Sequence, residues 1–560
     1  MTLAQGLVFL YAITAVSALA GLKRGRARLP HYLAWPVTTL VTLVVVGFVA
    51  PFLLWVFERF SGFTFGGNPL LLPVVLSILC MLGGFLGGLY WAKRGSAASK
   101  RSGAFACGAL SRGALVSDGG AAQAATRKLR TRMFRARAGR TPLAQLPAQM
   151  PLTIAGVPLP FGDECKHFKF MGTTGTGKST VIRELLHRAL GRGDRAVIAD
   201  LDGGYLSRFY DPGRGDVILN PFDRRSAKWN LFAELRNAYD VDELAQAFIP
   251  DRGPDPTWTN FARTLFTAVT AQAQAAGIDD PGELYRLLVA APKGELRVLV
   301  TGTPAAPFLE AGSDKLFQGV RSTVTASVKS LEFVRAQPDT GSPGTGFSVR
   351  EWVKAGRGVL FLPYQADQIA ALRAILSIWM RLAIFQTMSL GEGDHRLWFV
   401  VDELDALGAI NGLPDALTRL RKFGGRCVLG LQSIAQASAN SGPGVAQSLV
   451  ENCGNTLILR CSASEGGGTA QYASRLIGER EVVRRARSVS RSTGAGFGAG
   501  RGTRGHSEQT VTEFAVLAAE IEQLRDRTGL LKFASQPGWM RVAFPVYETE
   551  KVAVPFAPIV

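Results

Sequence analysis

The stretch Gly172-Thr173-Thr174-Gly175-Thr176-Gly177-Lys178-Ser179-Thr180 decides how this chain is read. It fits G-x-x-x-x-G-K-[ST], in which glycines let the backbone turn its N–H groups inward around phosphate oxygens, at the positive end of a following helix. The context agrees. His167 to Met171 reads as a strand before the loop, and Thr180 to Leu190 as an amphipathic helix after it. Residues 172–180 are therefore the expected cradle for ATP. Lys178 is placed to reach the β and γ phosphates, and the Ser179 hydroxyl to ligate Mg2+.

Working outward, such a site needs a second acid for the metal and a group that handles the attacking water. Leu397-Trp398-Phe399-Val400-Val401-Asp402-Glu403 supplies a buried strand ending in two carboxylates. Adjacent side chains at a strand end point to opposite faces, so the two acids can do different work. Asp402 is expected to hold Mg2+, and Glu403 to orient the water or accept its proton. Ala196 to Ala199, Val359 to Leu362, Cys427 to Leu431 and Thr456 to Leu459 read as further strands, alternating with helices. That alternation predicts an α/β fold with a mostly parallel sheet covered on both faces. Gln432 ends one of these strands, either as a sensor touching the γ-phosphate or its water, or as a capping amide; both readings stay open.

The chain has 560 residues, with 63 Lys plus Arg against 44 Asp plus Glu, a formal net charge of +19. Hydrophobic residues make up 47% and charged residues 19%, which excludes a wholly disordered chain. Six cysteines without a C-x-x-C pair and five scattered histidines exclude a disulfide framework and a zinc module, and point to a reducing compartment. Three long uncharged runs, Leu3 to Leu22, Trp35 to Phe57 and Pro69 to Trp91, are near the roughly 20 residues a membrane-spanning helix needs. No basic residues precede the first, which disfavours a cleaved signal. Gly83-Gly84 and Gly87-Gly88 in the third run suit close helix packing. Lys23, Arg24, Arg26 and Arg28 before the second run, and Lys93, Arg94, Lys100 and Arg101 after the third, put those flanks in the cytoplasm. The expectation is a multi-pass protein of the bacterial inner membrane, with its bulk cytoplasmic. Between Lys93 and Arg140 there are twelve bases and one acid, Asp118. Such a stretch can grip anionic lipid headgroups, neutralise nucleic-acid phosphates, or serve as a solvated linker that fixes topology.

The order GTTGTGKST, LNPFD, a Trp-containing helical region, LWFVVDEL and GLQS resembles conjugative type IV coupling proteins, the TraD and TrwB kind, over about Gly156 to Val546. That resemblance implies a RecA-like P-loop nucleotide-binding domain interrupted by an all-α domain, behind N-terminal transmembrane helices. The expected division is 1–95 transmembrane, 96–150 basic linker, 151–229 with 346–560 nucleotide-binding, and 230–345 all-α. The residues themselves say only that Asn230 to Val334 is a helical insertion, with helices at Asp242 to Ala247, Asn260 to Ala276, Pro281 to Ala290 and Gly319 to Val334.

By resemblance the activity is a DNA-stimulated ATPase that links relaxase-bound DNA to a type IV secretion channel as a homo-hexamer. The DNA is bound without regard to sequence, with a single strand as the expected form. Resemblance supports Lys178, Ser179, Asp402, Glu403 and Gln432 in their roles. It marks Arg421, in a helix spanning Pro414 to Phe423, as an arginine finger acting on a neighbour's nucleotide, with Arg419 as the substitute. Two other readings are a nucleotide-gated adaptor without motor activity and a chromosome-partitioning DNA translocase. Asp200-Leu201-Asp202-Gly203-Gly204 departs from the Asp-Pro-x-Gly that relatives often carry. Ser488 to Ser507, with Arg491, Arg501 and Arg504, is either a DNA-contacting loop or an exposed linker.

Overall fold

Side chains alternate between two faces along a strand, and here the alternation sorts the strand residues into two separate cores. Val197, Ala199, Leu360, Leu362, Leu397, Phe399 and Val401 enter one, whereas Ala196, Ile198, Val359, Phe361, Trp398 and Val400 enter the other. A strand buried on both faces belongs inside a covered parallel sheet. The computed structural model describes residues 3–24, 36, 39–40, 42–43, 77–86, 109–137, 151–251, 256–335, 346–407, 410, 413–463, 468–490 and 503–559. Two compact units are formed, residues 1–112 with 481–512, and residues 113–480 with 513–560.

The second unit is built on a ten-stranded sheet. Its strands in chain order are β1 (Val116–Asp118), β2 (Phe168–Met171), β3 (Arg195–Leu201), β4 (Val217–Ile218), β5 (Val359–Tyr364), β6 (Leu397–Val401), β7 (Gly425–Leu431), β8 (Asn455–Ile458), β9 (Thr528–Lys532) and β10 (Trp539–Ala543). The spatial order is β1-β10-β9-β8-β2-β7-β6-β3-β5-β4. From β8 to β4 the pairing is parallel. Beyond β8 the edge turns antiparallel through β9 and β10. The strands expected from sequence are all present. Residues 116–118, expected within a linker, instead pair with β10 as the edge strand, and the helix Gly120–Arg137 follows them.

The 230–345 region contains only helices among its described residues. Two details differ from expectation. The helix expected from Gly319 to Val334 starts at Asp314 and breaks at Lys329 into Asp314–Val328 and Ser330–Arg335, and a short helix Lys293–Leu299 was not foreseen. Where the chain enters and leaves this region, the buried Glu234 carboxylate accepts hydrogen bonds from Trp229 Nε1, Ser348 Oγ and the Val349 and Arg350 amides. One acceptor thus ties both crossings together.

Ile369–Ser389 is the one described helix long and apolar enough to cross a membrane. It is a core helix, with Leu372, Ile375, Trp379 and Ile384 at or below 1% exposure. In the first unit, the helix Leu3–Arg24 runs against Gly84, where an added Cβ would lie 2.6 Å from the Thr14 carbonyl oxygen. That close approach is what the Gly83-Gly84 pair was expected to allow. Most of the runs 35–57 and 69–91 lies outside the described residues. The 488–507 stretch, expected as a loop or linker, is strand at both ends, 488–490 within Glu479–Ser490 and 503–507 within Thr503–Phe514 of a three-stranded sheet, and 491–502 lies outside the described residues.

His167 precedes β2 and is almost fully buried. Its Nδ1 accepts from the Cys427 amide at 3.1 Å and its Nε2 donates to the Leu417 carbonyl at 2.9 Å, so the ring is neutral. Burial holds its pKa down at about 4 against an ordinary 6.5. The unfolded chain therefore takes up a proton first, and stability present above pH 6.5 is lost as pH falls towards 4. The loss is on the order of 3 kcal/mol. Thermal unfolding across that window should show it, and His167→Gln should flatten the slope while lowering stability at pH 7; an unchanged slope would exclude His167 as its source.

Candidate nucleotide and metal site

The loop after β2 is fixed from several sides. The Gly172 amide donates to Leu431 and the Thr173 amide to Arg460, at 3.1 and 2.9 Å. Thr176 Oγ1 donates to the Thr173 carbonyl at 2.7 Å. Gly175 and Gly177 have φ of +79° and +113°, a region L side chains enter at a cost. At Gly177 space is also short, since an added Cβ would sit 3.1 Å from the Phe544 ring. Arg527, on the approach to β9, donates its amide to the Thr176 carbonyl at 2.9 Å. Thr180 is half-buried in the first turn of the helix Lys178–Gly191.

Lys178 is buried, and its Nζ donates to the Gly172 and Thr173 carbonyls. Burial pulls its pKa down, while the nearby Asp402 and Glu403 carboxylates pull the other way. Ser179 Oγ donates to Asp402 Oδ2 at 2.6 Å, and the buried Tyr205 hydroxyl donates to the same oxygen at 2.7 Å. Asp402 Oδ1 is buried without a partner. Burial and the Asp402 charge push the Tyr205 phenol well above its usual range, so it stays a donor.

Glu403 accepts from Gln432 Nε2, and Gln432 Oε1 accepts from Thr174 Oγ1 at 3.2 Å. The amide thus spans the loop and the second acid. Burial, and then the Asp402 charge, raise the Glu403 pKa. Sequence reading missed three participants. Asp405 Oδ2 accepts from the Gln432 and Ser433 amides at 3.1 and 3.3 Å and so holds the end of β7. Asp200 is fully buried and accepts from the Tyr205 and Leu206 amides; burial lifts its pKa to about 7. Tyr205 itself had no visible signal, because a tyrosine in a loop reads as core or surface until the fold places it.

These residues fit a magnesium nucleotide. The fit rests on the unpartnered buried Asp402 Oδ1 beside Ser179, whose hydroxyl donates to the other oxygen of that carboxylate from the first turn of the helix Lys178–Gly191. No group of three or more His, Cys, Asp or Glu among the described residues is arranged to hold a metal alone. Mg2+ suits such a site, because it keeps several waters and takes few protein ligands.

Arg421 is not part of this cluster. It lies in the turn Leu420–Phe423, before β7, whereas Gln432 follows that strand. Seven residues of strand put the two ends roughly 20 Å apart. Arg421 is exposed and lines a cleft of 330 Å³ with Lys166, Thr418 and Glu451. Arg419 is exposed on the preceding turn.

Residues 151–545 match the family described as the type IV secretion-system coupling protein DNA-binding domain. The coupling protein TraD of Escherichia coli (strain K12) is 33% identical over 350 residues, 60% of this chain and 47% of that protein. The chain thus spans about half the length of that relative. Among solved structures, the unbound bacterial conjugative coupling protein TrwBΔN70 superposes with a TM-score of 0.67 at 29% identity, over 80% of this chain and 96% of that one. TrwB in complex with ADP and Mg2+ gives 0.66 at 30% identity, over 80% and 97%. TrwB with a non-hydrolysable ATP analogue gives 0.67 at 29%, over 81% and 98%.

The cluster depends on a bare backbone at Gly430, where an added Cβ would lie 1.9 Å from the Asp402 carbonyl oxygen. Gly430→Ala should therefore cost about 2 kcal/mol through overpacking, seen as a lower unfolding midpoint; a midpoint equal to the parent's would contradict this packing.

Proposed function

We propose, from the premise that this chain belongs to the type IV secretion-system coupling protein family, that it is a membrane-anchored, DNA-stimulated ATPase. In this reading it joins DNA held by a relaxase complex to a type IV secretion channel and drives transfer by hydrolysis. One observation carries the enzymatic part: Ser179, Asp402, Glu403 and Gln432 meet around the 172–180 loop at the carboxyl ends of the central strands. That TrwB, similar over 80% of this chain, was solved with ADP and Mg2+ supports the choice of ligand.

The loop amides and Lys178 bind the phosphates, Lys178 exchanging its carbonyl partners for phosphate oxygens. Ser179 and Asp402 hold Mg2+, which when bound neutralises charge on the β and γ oxygens. Glu403, its pKa raised, accepts the proton of the attacking water as the water forms its bond to phosphorus and the bond to the ADP oxygen breaks. Gln432 loses or keeps its bond to Thr174 according to whether the γ-phosphate is present. Arg421 acts from a neighbouring subunit, because about 20 Å of β7 separates it from its own chain's site. A ring, hexameric in this reading, thereby makes each hydrolysis a contact between two subunits. The 230–345 helices face the DNA, and cations follow the strand's phosphates without reading bases. The apolar runs near the N-terminus anchor the chain in the bacterial inner membrane, with lipid contacts from the basic segment after them.

Lys178→Ala should abolish ATP turnover, and Glu403→Gln should lower it about 10²- to 10⁴-fold while ATP still binds. Full turnover in either would refute the site. Stimulation by DNA should vanish across a rising salt series; no stimulation at any salt would favour the adaptor reading. For the trans arginine, Lys178→Ala and Arg421→Ala chains, each inactive alone, should recover part of the turnover when mixed. No recovery would place Arg421 outside the neighbour's site.

A further inference from the structure

The Asp200-Leu201-Asp202-Gly203-Gly204 turn leads directly into Tyr205. The turn is held on both sides. On the inside, Asp200 accepts the Tyr205 amide at 3.0 Å on each oxygen and the Leu206 amide at 2.6 Å. On the outside, the segment at 549–555 crosses it. The Val552 amide donates to the Ser207 carbonyl at 2.8 Å, Arg208 reaches the Thr549 carbonyl, and Pro555 lies so close to Gly203 that an added Cβ would meet its oxygen at 2.3 Å. Asp202 and Gly203 take up the resulting bend with φ of +56° and +62°. Tyr205 is 3% exposed, and its ring lies beneath the Arg183 guanidinium at 5.9 Å.

Its hydroxyl donates to Asp402 Oδ2 at 2.7 Å. Ser179 donates to that same oxygen. Two hydroxyls on Oδ2 fix the carboxylate plane and leave Oδ1 buried and unpartnered, which is the arrangement a cation ligand or its water needs. A hydrogen-bonded orienting group of this kind is a regular part of metal sites. Ser179 cannot do the task alone, because its own oxygen is the other protein ligand proposed for the metal.

We infer that Tyr205 is a positioning residue for magnesium, setting the rotamer of Asp402 through its hydroxyl while touching neither nucleotide nor metal. The inference rests on the reading of Ser179 and Asp402 as the metal's protein ligands. A tyrosine that merely fills the core would leave metal affinity alone once its ring is kept, so Tyr205→Phe separates the two roles.

The experiment measures ATP binding to the full-length, detergent-solubilised chain by calorimetry, in EDTA and across a MgCl2 series. In Tyr205→Phe, binding in EDTA should stay within about twofold of the parent, which also shows the site is folded. The MgCl2 concentration that gives half of the metal-dependent gain should rise about tenfold. In an Asp402→Asn background, adding Tyr205→Phe should produce no further shift. An unchanged magnesium midpoint, an equal loss in EDTA and in MgCl2, or a full further shift in the Asp402→Asn background would each overturn the inference. A parent chain whose ATP binding ignores MgCl2 would instead remove the metal reading beneath it.

Discussion

The parallel pairing of β7 with β2 on one side and β6 on the other is the constraint on which the site depends. Leu431 is in register with Met171, and Leu429 with Val401. The carboxyl ends of three strands therefore reach nearly the same height, and whatever follows each strand is delivered to one place: Gly172 after β2, Gln432 after β7 and Asp402 after β6. Parallel strands need no turn chemistry at this edge, so the residues there are free to be chosen for function. Gly430 shows how tightly the register binds. It sits beside the Asp402 backbone with no room for a side chain, so the strand that separates the loop from the acids must be bare at that level.

The electrostatics of the cluster are one-sided. Asp200 and Asp402 are buried, Glu403 and Asp405 half-buried, and the nearby buried cation is Lys178. Burial pushes the Asp200, Glu403 and Asp405 carboxyls upward, the expected response of acids drawn together out of water. A fold that gathers acids in this way gives up stability unless a cation compensates them. The arrangement thus makes sense as half of a site that a cation completes, with Asp402 Oδ1 buried and without a partner. Backbone amides do part of the compensation, through Tyr205 and Leu206 on Asp200 and through Gln432 and Ser433 on Asp405.

Much of this could be read from the chain alone, for identifiable reasons. The glycine loop is local chemistry, and the runs at 196–199, 359–362, 397–401 and 427–431 are apolar on both faces, so their strands and burial were legible. Gln432 and Glu403 were legible because they end such runs. What was hidden depends on contacts distant in sequence. Tyr205 meets Asp402 across 197 residues, and Arg527 meets Thr176 across a longer span still. The β9–β10 edge is legible only once β8 offers it a partner. The break at Lys329 divides one continuous helical pattern, and β1 is three residues long, too short for periodicity to register in a stretch dominated by its charge.

The opposite end of β7 gives the strand a second meaning. His167 accepts from Cys427 near the strand's start and donates to Leu417, tying the strand to the helix Leu413–Arg419 that leads into the turn with Arg421. Gln432 at the far end is bonded to Glu403 and, through Asp405, to the segment that follows β6. A rigid buried strand therefore has a phosphate-side amide on one end and an exposed guanidinium beyond the other. Two helices follow the strand, Ile434–Ser441 and Pro443–Asn452. The second of these ends beside the Arg421 cleft, which Asn452 and Glu451 help to line. A single subunit cannot use both ends on one nucleotide, because the strand's length forbids it. In the ring proposed above, that length is the reason Arg421 is assigned to a neighbour's nucleotide and not to its own.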